Sequence, residues 1–157
     1  MGGCIEGSDT IRFIPLSNIP HDRLKNVTYG KFVCEVKPNK KEVNRTRLTI
    51  RGDRINYPFE TSTPTCGLPV IKLLLNSVLS TPNAKFASFD VSNFYLGTPL
   101  PRPEYMRLPI KIIQVEIVHK YKLEEIEENG WIYCKIVRRM YGLPQAGKLA
   151  QDQLIRR

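Results

Sequence analysis

Two stretches in which apolar and polar residues alternate do most to restrict how this chain folds. They span Tyr29–Val36 and Arg45–Arg51, and a period of two places successive side chains on opposite faces of a β-strand. The turn-rich sequence Pro38-Asn39-Lys40 lies between them, and proline and asparagine favour turns. The sequence therefore predicts a β-hairpin that projects like a finger from the rest of the fold.

The remaining patterns predict helices and strands in an α+β arrangement. Residues 1–28 read as an irregular N-terminal extension with one short apolar run, and residues 29–157 as the folded part. The first helix has its polar residues on one stripe, so we expect it to pack over most of its circumference. The predicted elements are a helix at Val70–Ser80, a strand at Lys85–Asp90, a strand at Trp131–Val137 after the turn Asn129-Gly130, and a helix at Gln145–Ile155 after Pro144.

The charge of the chain is unevenly distributed. The 157 residues carry a formal net charge of +9. Residues 37–54 hold seven basic residues against two acidic ones, residues 135–157 hold a second basic cluster, and residues 124–128 are acidic. Basic stretches at two places suit a ligand with a phosphate backbone, although solvated surfaces also carry surplus lysine. Both interpretations stay open on charge alone.

Several classes of protein are excluded or disfavoured. No apolar run approaches the roughly 18 residues that a membrane span requires, and no secretory signal is present. We therefore expect a protein that is neither secreted nor membrane-bound and that lies inside the cell, in the cytoplasm in preference to other compartments. The cysteines lie far apart without a CxxC pair, and the two histidines are isolated. This spacing predicts reduced, mostly buried thiols and no zinc site.

Asp90 is the first candidate for a chemical role. It closes the apolar segment Lys85–Asp90, and a carboxylate at the end of a strand is held rigidly where it opens onto substrate or metal. The alternative is an aspartate that caps a helix or lies in a turn. Position alone leaves both possibilities open.

Three motifs in one order give this segment a more specific interpretation. Around Asp90 the sequence reads FDVSNFYLGTPL and then EYMRLP; upstream it reads RTRLTIRGDRINYPFETSTPT, and downstream YCKIVRRMYGLPQAGKLA. Together they resemble copia-type retrotransposon reverse transcriptases, in which an Asp-Val pair is followed by an aromatic residue, a leucine, a loop glycine and Tyr-Met-x-x-Pro. The resemblance covers residues 29–157 and implies the fingers and partial palm of a right-hand polymerase.

The resemblance also implies roles for individual residues. Asp90 would bind both catalytic Mg²⁺ ions, and the backbone carbonyl of Val91 would face the metal of the incoming nucleotide. Tyr95 would lie under the sugar and exclude a 2′-hydroxyl, although a core tyrosine is the alternative. Gln145 would touch the nucleotide, the alternative being an exposed residue at the start of a helix, and Arg47 would clamp a phosphate.

Three features differ from the family. The segment between Pro109 and Trp131 is acidic and longer than the family's pattern leads us to expect. Pro144 stands where many relatives carry lysine, and the sequence reaches Arg157 without the Tyr-x-Asp-Asp hairpin that supplies the other carboxylates. We therefore expect a fragment that is inactive alone, with RNA template, DNA primer and a deoxynucleoside triphosphate as ligands and with the missing palm and thumb on a continuing polyprotein. Whether the chain acts as an enzyme stays open. The alternatives are a non-catalytic, basic nucleic-acid-binding module and a structural protein whose charges only solubilise it.

Overall fold

A computed structural model describes residues 9–39, 43–89, 96 and 98–156. These residues form strands and α-helices connected by short 3-10 turns, so the mixed α+β class predicted from the sequence is confirmed. The strands are β1 (Ile11–Ile14), β2 (Thr28–Val36), β3 (Asn44–Ile50), β4 (Pro99–Pro109) and β5 (Trp131–Arg138), and the helices are α1 (Leu68–Ser80), α2 (Val115–Lys120) and α3 (Ala146–Ile155).

The strands form one sheet with the order β1-β5-β4-β2-β3. The antiparallel pairing of β2 with β3 runs from Gly30↔Ile50 to Val36↔Asn44. Only the base of this hairpin joins the rest of the sheet, because β2 and β4 pair in parallel through Thr28↔Met106 and Tyr29↔Arg107 alone. Residues 31–36 are exposed. The predicted projecting hairpin is therefore confirmed.

The core lies on both faces of the central strands β4 and β5. On one face Met106, Ile132 and Ile136 are fully buried within the larger apolar cluster. On the other face Tyr105 and Tyr133 pack with Ile19 in a smaller cluster. Because side chains alternate along a strand, these two sets follow directly from the antiparallel register of β4 and β5. The central strands β4 and β5 are thus covered on both faces, and the β2–β3 hairpin extends from this part of the sheet.

The N-terminal segment differs from the irregular extension expected for residues 1–28. Ile11–Ile14 forms β1, which pairs antiparallel with β5 from Ile11↔Ile136 to Ile14↔Tyr133. Ile19 then lies between two 3-10 turns, Leu16–Asn18 and His21–Asn26, and packs in the smaller apolar cluster. A run of only a few apolar residues becomes a strand here because a distant edge of the sheet supplies its hydrogen-bond partners.

Strand β4 lies in a proline-rich segment for which the sequence patterns predict no element. Proline removes a backbone donor and is tolerated in sheets mainly at bulges and edges. The pairing of β4 with β5 shifts register between Pro99 and Glu104, and Pro101 and Pro103 lie within that irregular stretch. The ladder is regular from Glu104 to Pro109, so Pro101 and Pro103 lie in the part of the strand that pairs least, and Pro109 lies at its end.

The strand predicted at Lys85–Asp90 is not present in the described part of the segment. Residues 85–89 have no regular secondary structure, and Asp90 lies outside the described residues. Phe86 is 55% exposed and Phe89 is 86% exposed. An apolar segment becomes a strand when a neighbour offers both backbone partners and a face to bury, and the described residues offer neither to residues 85–89.

The second half of the chain follows its predicted elements closely. The turn before β5 has positive φ angles at Asn129 (53°) and Gly130 (83°), which asparagine and glycine adopt most readily. Strand β5 and helix α3 occupy the predicted segments to within a residue at each end. No helix formed by the described residues is long and apolar enough to span a bilayer.

The cysteines are less buried than expected. Cys134 is fully buried on β5, and burial raises the pKa of its thiol to about 12. Cys34 and Cys66 are exposed and not bonded to another cysteine. The expectation of mostly buried thiols is therefore wrong for the cysteines that the structure describes, because Cys34 lies on the projecting hairpin and Cys66 on the loop before α1.

Helix α1 presents its apolar side chains to solvent. It begins two residues earlier than predicted, and all its residues are exposed except Val78, which is partly buried. Leu73 is 71% exposed and Leu79 is 86% exposed. The predicted packing over most of its circumference is therefore wrong for the described part of the chain.

Replacing Leu73 and Leu79 together with lysine is expected to reduce the fluorescence of a bound hydrophobic dye. The free energy of unfolding should change by less than about 0.5 kcal/mol per site, because neither side chain is buried. Dye titration and urea unfolding of the wild type and the double variant measure the two effects. Unchanged dye binding, or a large loss of stability, would show that α1 is covered in solution.

Candidate functional site

An open groove of about 340 Å³ lies where strand β3 meets the segment that follows β5. One wall is formed by the middle of β3, residues 45–48, and the opposite wall by Met140 and Tyr141. Thr10 and Ile11 at the start of β1 also line it. Leu96 lines it too, so residues from all three sequence motifs, far apart along the chain, meet at one groove.

Arg47 is the charged residue most firmly built into this groove. Its guanidinium carbon lies 5.2 Å from the centre of the Tyr141 ring, in cation–π geometry. Its Nε is buried and has no hydrogen-bond partner. Among the described residues no carboxylate lies within salt-bridge distance of Arg47. A guanidinium that keeps its donors and its full charge is suited to bidentate binding of a phosphate.

Two basic residues close to the hairpin ends have acidic partners. Arg51 pairs with Asp53 at 2.9 Å, and Lys37 lies 3.4 Å from Glu35. All four side chains are at least one-third exposed, so these pairs contribute little stability, but each partly neutralises its cation. Arg47 thus differs from Arg51 and Lys37, because no described carboxylate neutralises its charge.

The groove is held together by a close approach of two backbone segments. The backbone N–H of Ile50 donates to the carbonyl of Tyr141 at 3.1 Å. A Cβ atom on Gly142 would lie 2.2 Å from the carbonyl oxygen of Ile50, and one on Gly52 would lie 2.0 Å from that of Gly142. Since no side chain fits in either place, the two glycines allow the contact that fixes Tyr141 beside β3.

Gln145 lies in a buried polar cluster. It is the residue before α3 and is fully buried. Its Nε2 donates to Oε1 of Glu104 at 3.4 Å, while its own Oε1 is buried without a hydrogen-bond partner. The alternative of an exposed residue at a helix start therefore does not describe this glutamine.

Glu104 is the centre of this cluster. Its Oε2 accepts a hydrogen bond from Nη2 of Arg23 at 2.6 Å, and its Oε1 lies 3.8 Å from Nε of Arg102. Burial raises the pKa of Glu104 above its ordinary value, and the two arginines and Gln145 offset part of that effect. The cluster thus ties the N-terminal segment, β4 and the start of α3 together.

The structure brings together only part of the predicted site. Arg47 lines the groove, whereas the carboxamide of Gln145 faces Glu104 and is not among the residues that line it. Asp90, Val91 and Tyr95 lie outside the described residues. The roles that the resemblance implies for those three residues therefore stay predictions.

The described residues offer no evidence on the predicted Mg²⁺ site. They contain no group of three or more histidine, cysteine, aspartate or glutamate side chains that could hold a metal ion. Asp90 and Val91, the predicted ligands, are not among them. The Mg²⁺ site therefore stays a prediction.

A second cluster of arginine and aromatic side chains was not foreseen from the sequence. The guanidinium of Arg107 lies 4.5 Å from the ring centres of both Tyr29 and Trp131, and that of Arg54 lies 5.0 Å from Tyr29. Arg107 also donates to the Tyr29 hydroxyl, which lowers the pKa of Tyr29. The only sequence signal is an aromatic residue near the start of each of two strands; the parallel pairing of β2 with β4 creates the contact.

Comparisons with known proteins add no identification: the chain matches no protein-family model, no curated protein and no solved structure.

Proposed function

We propose that this chain is the fingers and partial palm of a copia-type reverse transcriptase, an RNA-directed DNA polymerase. The observation that carries the proposal is the groove in which Arg47 of one motif contacts Tyr141 of another. A polymerase must hold the phosphates of a nucleotide between its fingers and palm, and contact between these motifs supplies a cation at such a junction. The projecting basic hairpin supports the same proposal.

In this proposal each residue has a defined role. Arg47 binds a phosphate of the deoxynucleoside triphosphate, Tyr95 contacts its sugar, and Asp90 with the carbonyl of Val91 binds Mg²⁺. Gln145 contacts the nucleotide only after its carboxamide leaves Glu104, because it is buried in the described conformation. The RNA template and DNA primer pass along the basic hairpin, inside the cell and in the cytoplasm.

A single carboxylate cannot hold two divalent ions near the geometry they prefer. We therefore propose that these 157 residues bind nucleic acid but do not synthesise DNA unless further carboxylates are supplied. Reading the nucleotide sequence downstream of the codon for Arg157 tests this directly. A Tyr-x-Asp-Asp reading frame within several dozen codons supports the polymerase, and its absence in all frames favours the second function below.

The second candidate function is a non-catalytic nucleic-acid-binding module. It is favoured by the cluster of Arg54, Tyr29, Arg107 and Trp131, which places arginine and aromatic side chains on a part of the sheet separate from the groove. Such side chains bind phosphates and stack on bases. This function requires the basic surface but neither Asp90 nor a nucleotide site.

Replacing Arg47 with alanine is expected to weaken binding of an RNA–DNA duplex and to flatten its salt dependence. Log affinity falls as log salt rises, and removing one phosphate contact should make this negative slope less steep by about 1. Arg47→Lys should restore the slope but only part of the affinity, because lysine cannot bind a phosphate bidentately. Fluorescence anisotropy titrations at several salt concentrations measure both quantities.

Lys111→Ala is the matched control, because it removes one positive charge from an exposed residue outside the groove. It should leave the affinity and the slope close to those of the wild type. If both alanine variants behave alike, the groove has no specific role. If wild-type binding does not depend on salt at all, neither nucleic-acid function is correct.

A further inference from the structure

Arg47 must be ordered before it can act as a phosphate ligand. An arginine side chain carries about 2 kcal/mol of rotamer entropy, part of which is lost when its guanidinium is fixed. No described carboxylate holds Arg47, yet its Nε is buried and its guanidinium lies against one ring. The contact that orients this side chain is therefore with an aromatic face and not with an acid.

An aromatic partner has a chemical advantage over a carboxylate at this position. A carboxylate would orient the guanidinium but would neutralise it and compete with an incoming phosphate. A ring attracts the cation through its π face and leaves the charge and the hydrogen-bond donors in place. The neighbouring pair of Arg51 with Asp53 shows the other arrangement, in which the acid occupies the donors of the arginine.

The ring is itself held in register with Arg47. The carbonyl of Tyr141 accepts a hydrogen bond from the N–H of Ile50, three residues after Arg47 on the same strand. Gly142 follows with a φ of 95° and lies directly against Ile50. Strand β3, which carries Arg47, is thus hydrogen-bonded to Tyr141, the residue that orients the arginine. The side chains of Arg47 and Tyr141 both line the groove.

We propose that Tyr141 is a positioning residue, whose ring holds the guanidinium of Arg47 in the groove for a polyphosphate ligand. The inference rests on the proposed function for the identity of the ligand, and on the Arg47–Tyr141 contact for the mechanism. The ring acts through Arg47 and does not touch the phosphates. Phenylalanine should therefore replace it, whereas an aliphatic side chain should not.

The test uses the 157-residue chain, inorganic tripolyphosphate and the nuclear magnetic resonance signal of the Arg47 Nε–H group. Tyr141→Leu should weaken tripolyphosphate binding by about two- to five-fold, the range of an exposed cation–π contact. Tyr141→Phe should bind like the wild type. In the presence of Arg47→Ala, Tyr141→Leu should have no further effect, because both changes remove the same interaction.

A second measurement does not depend on binding. The ring of Tyr141 should shift the Nε–H proton of Arg47 upfield in the wild type and in Tyr141→Phe, and this shift should disappear in Tyr141→Leu. A shift that is the same in all three proteins, or additive effects in the double variant, would overturn the positioning role. If the wild type fails to bind tripolyphosphate while the shift pattern appears as expected, the proposed function fails and the contact between the two residues stands.

Discussion

Replacing Glu104 with leucine is expected to lower the free energy of unfolding by about 3–5 kcal/mol, the usual cost of removing one partner from a buried ion pair. Glu104 is fully buried, and the side chain of its partner Arg23 is only 13% exposed. Nη2 of Arg23 lies 2.6 Å from Oε2 of Glu104. The Nε of Arg23 already has no hydrogen-bond partner. Without Glu104, the guanidinium would be left largely buried, and among the described residues the carbonyl of Pro103 would be its remaining acceptor. Urea unfolding measures the loss.

Two further variants separate the pair from its surroundings. Arg23→Met combined with Glu104→Leu should recover much of the lost stability, because a buried ion pair replaced by apolar side chains often costs nothing. Arg102→Met should have a small effect, since Arg102 is farther from Glu104 and more exposed. If the double variant is as unstable as Glu104→Leu alone, shape and not charge explains the loss.

The pH dependence of stability gives an independent check on Glu104. Burial raises its pKa above the ordinary value of 4.5 despite Arg23, Arg102 and Gln145 nearby. The folded chain therefore holds the proton more tightly than the unfolded chain does. This contribution to stability is fully present below the unfolded-state pKa and is lost as pH rises through the folded-state pKa. The free energy of unfolding of the Glu104→Gln variant should not show this decrease with rising pH, because glutamine does not titrate.

Local sequence patterns were sufficient to predict the elements whose formation is set by nearby residues. The β2–β3 hairpin, β5 and α3 each combine a clear period with a turn or helix-start signal, and the structure has them where they were predicted. Elements that depend on distant partners were not predictable in this way. Strand β1 exists because β5 offers it an edge, and β4 exists although its prolines argue against a strand.

The same distinction applies to the candidate site. A motif identified Arg47 and Gln145, but no motif states which way a side chain turns. Arg47 lies against Tyr141 because β3 and the segment after β5 touch through two glycines. Gln145 turns toward Glu104, whose burial depends on an arginine from the N-terminal segment. Neither orientation follows from spacing, since each is set by packing between segments distant in sequence.

Replacing Gly142 with alanine is expected to separate the two halves of the groove. The φ of Gly142 is 95°, which an alanine adopts only with strain, and the added Cβ would lie 2.2 Å from the carbonyl oxygen of Ile50. Overpacking of this kind costs about 1–3 kcal/mol in addition to the backbone strain. Because the Ile50–Tyr141 hydrogen bond lies at the same contact, binding of tripolyphosphate should weaken together with stability.

Gly130→Ala is the matched control for this prediction, because Gly130 also has a positive φ, of 83°, but has no atom within 4 Å of the position of an added Cβ. It should show the cost of backbone strain alone and leave tripolyphosphate binding unchanged. Gly52→Ala should resemble Gly142→Ala, since its Cβ would meet the carbonyl of Gly142 from the opposite side. Equal losses of stability in Gly130→Ala and Gly142→Ala would mean that the two segments do not approach this closely in solution. The groove would then lack the contact that holds Tyr141 beside Arg47.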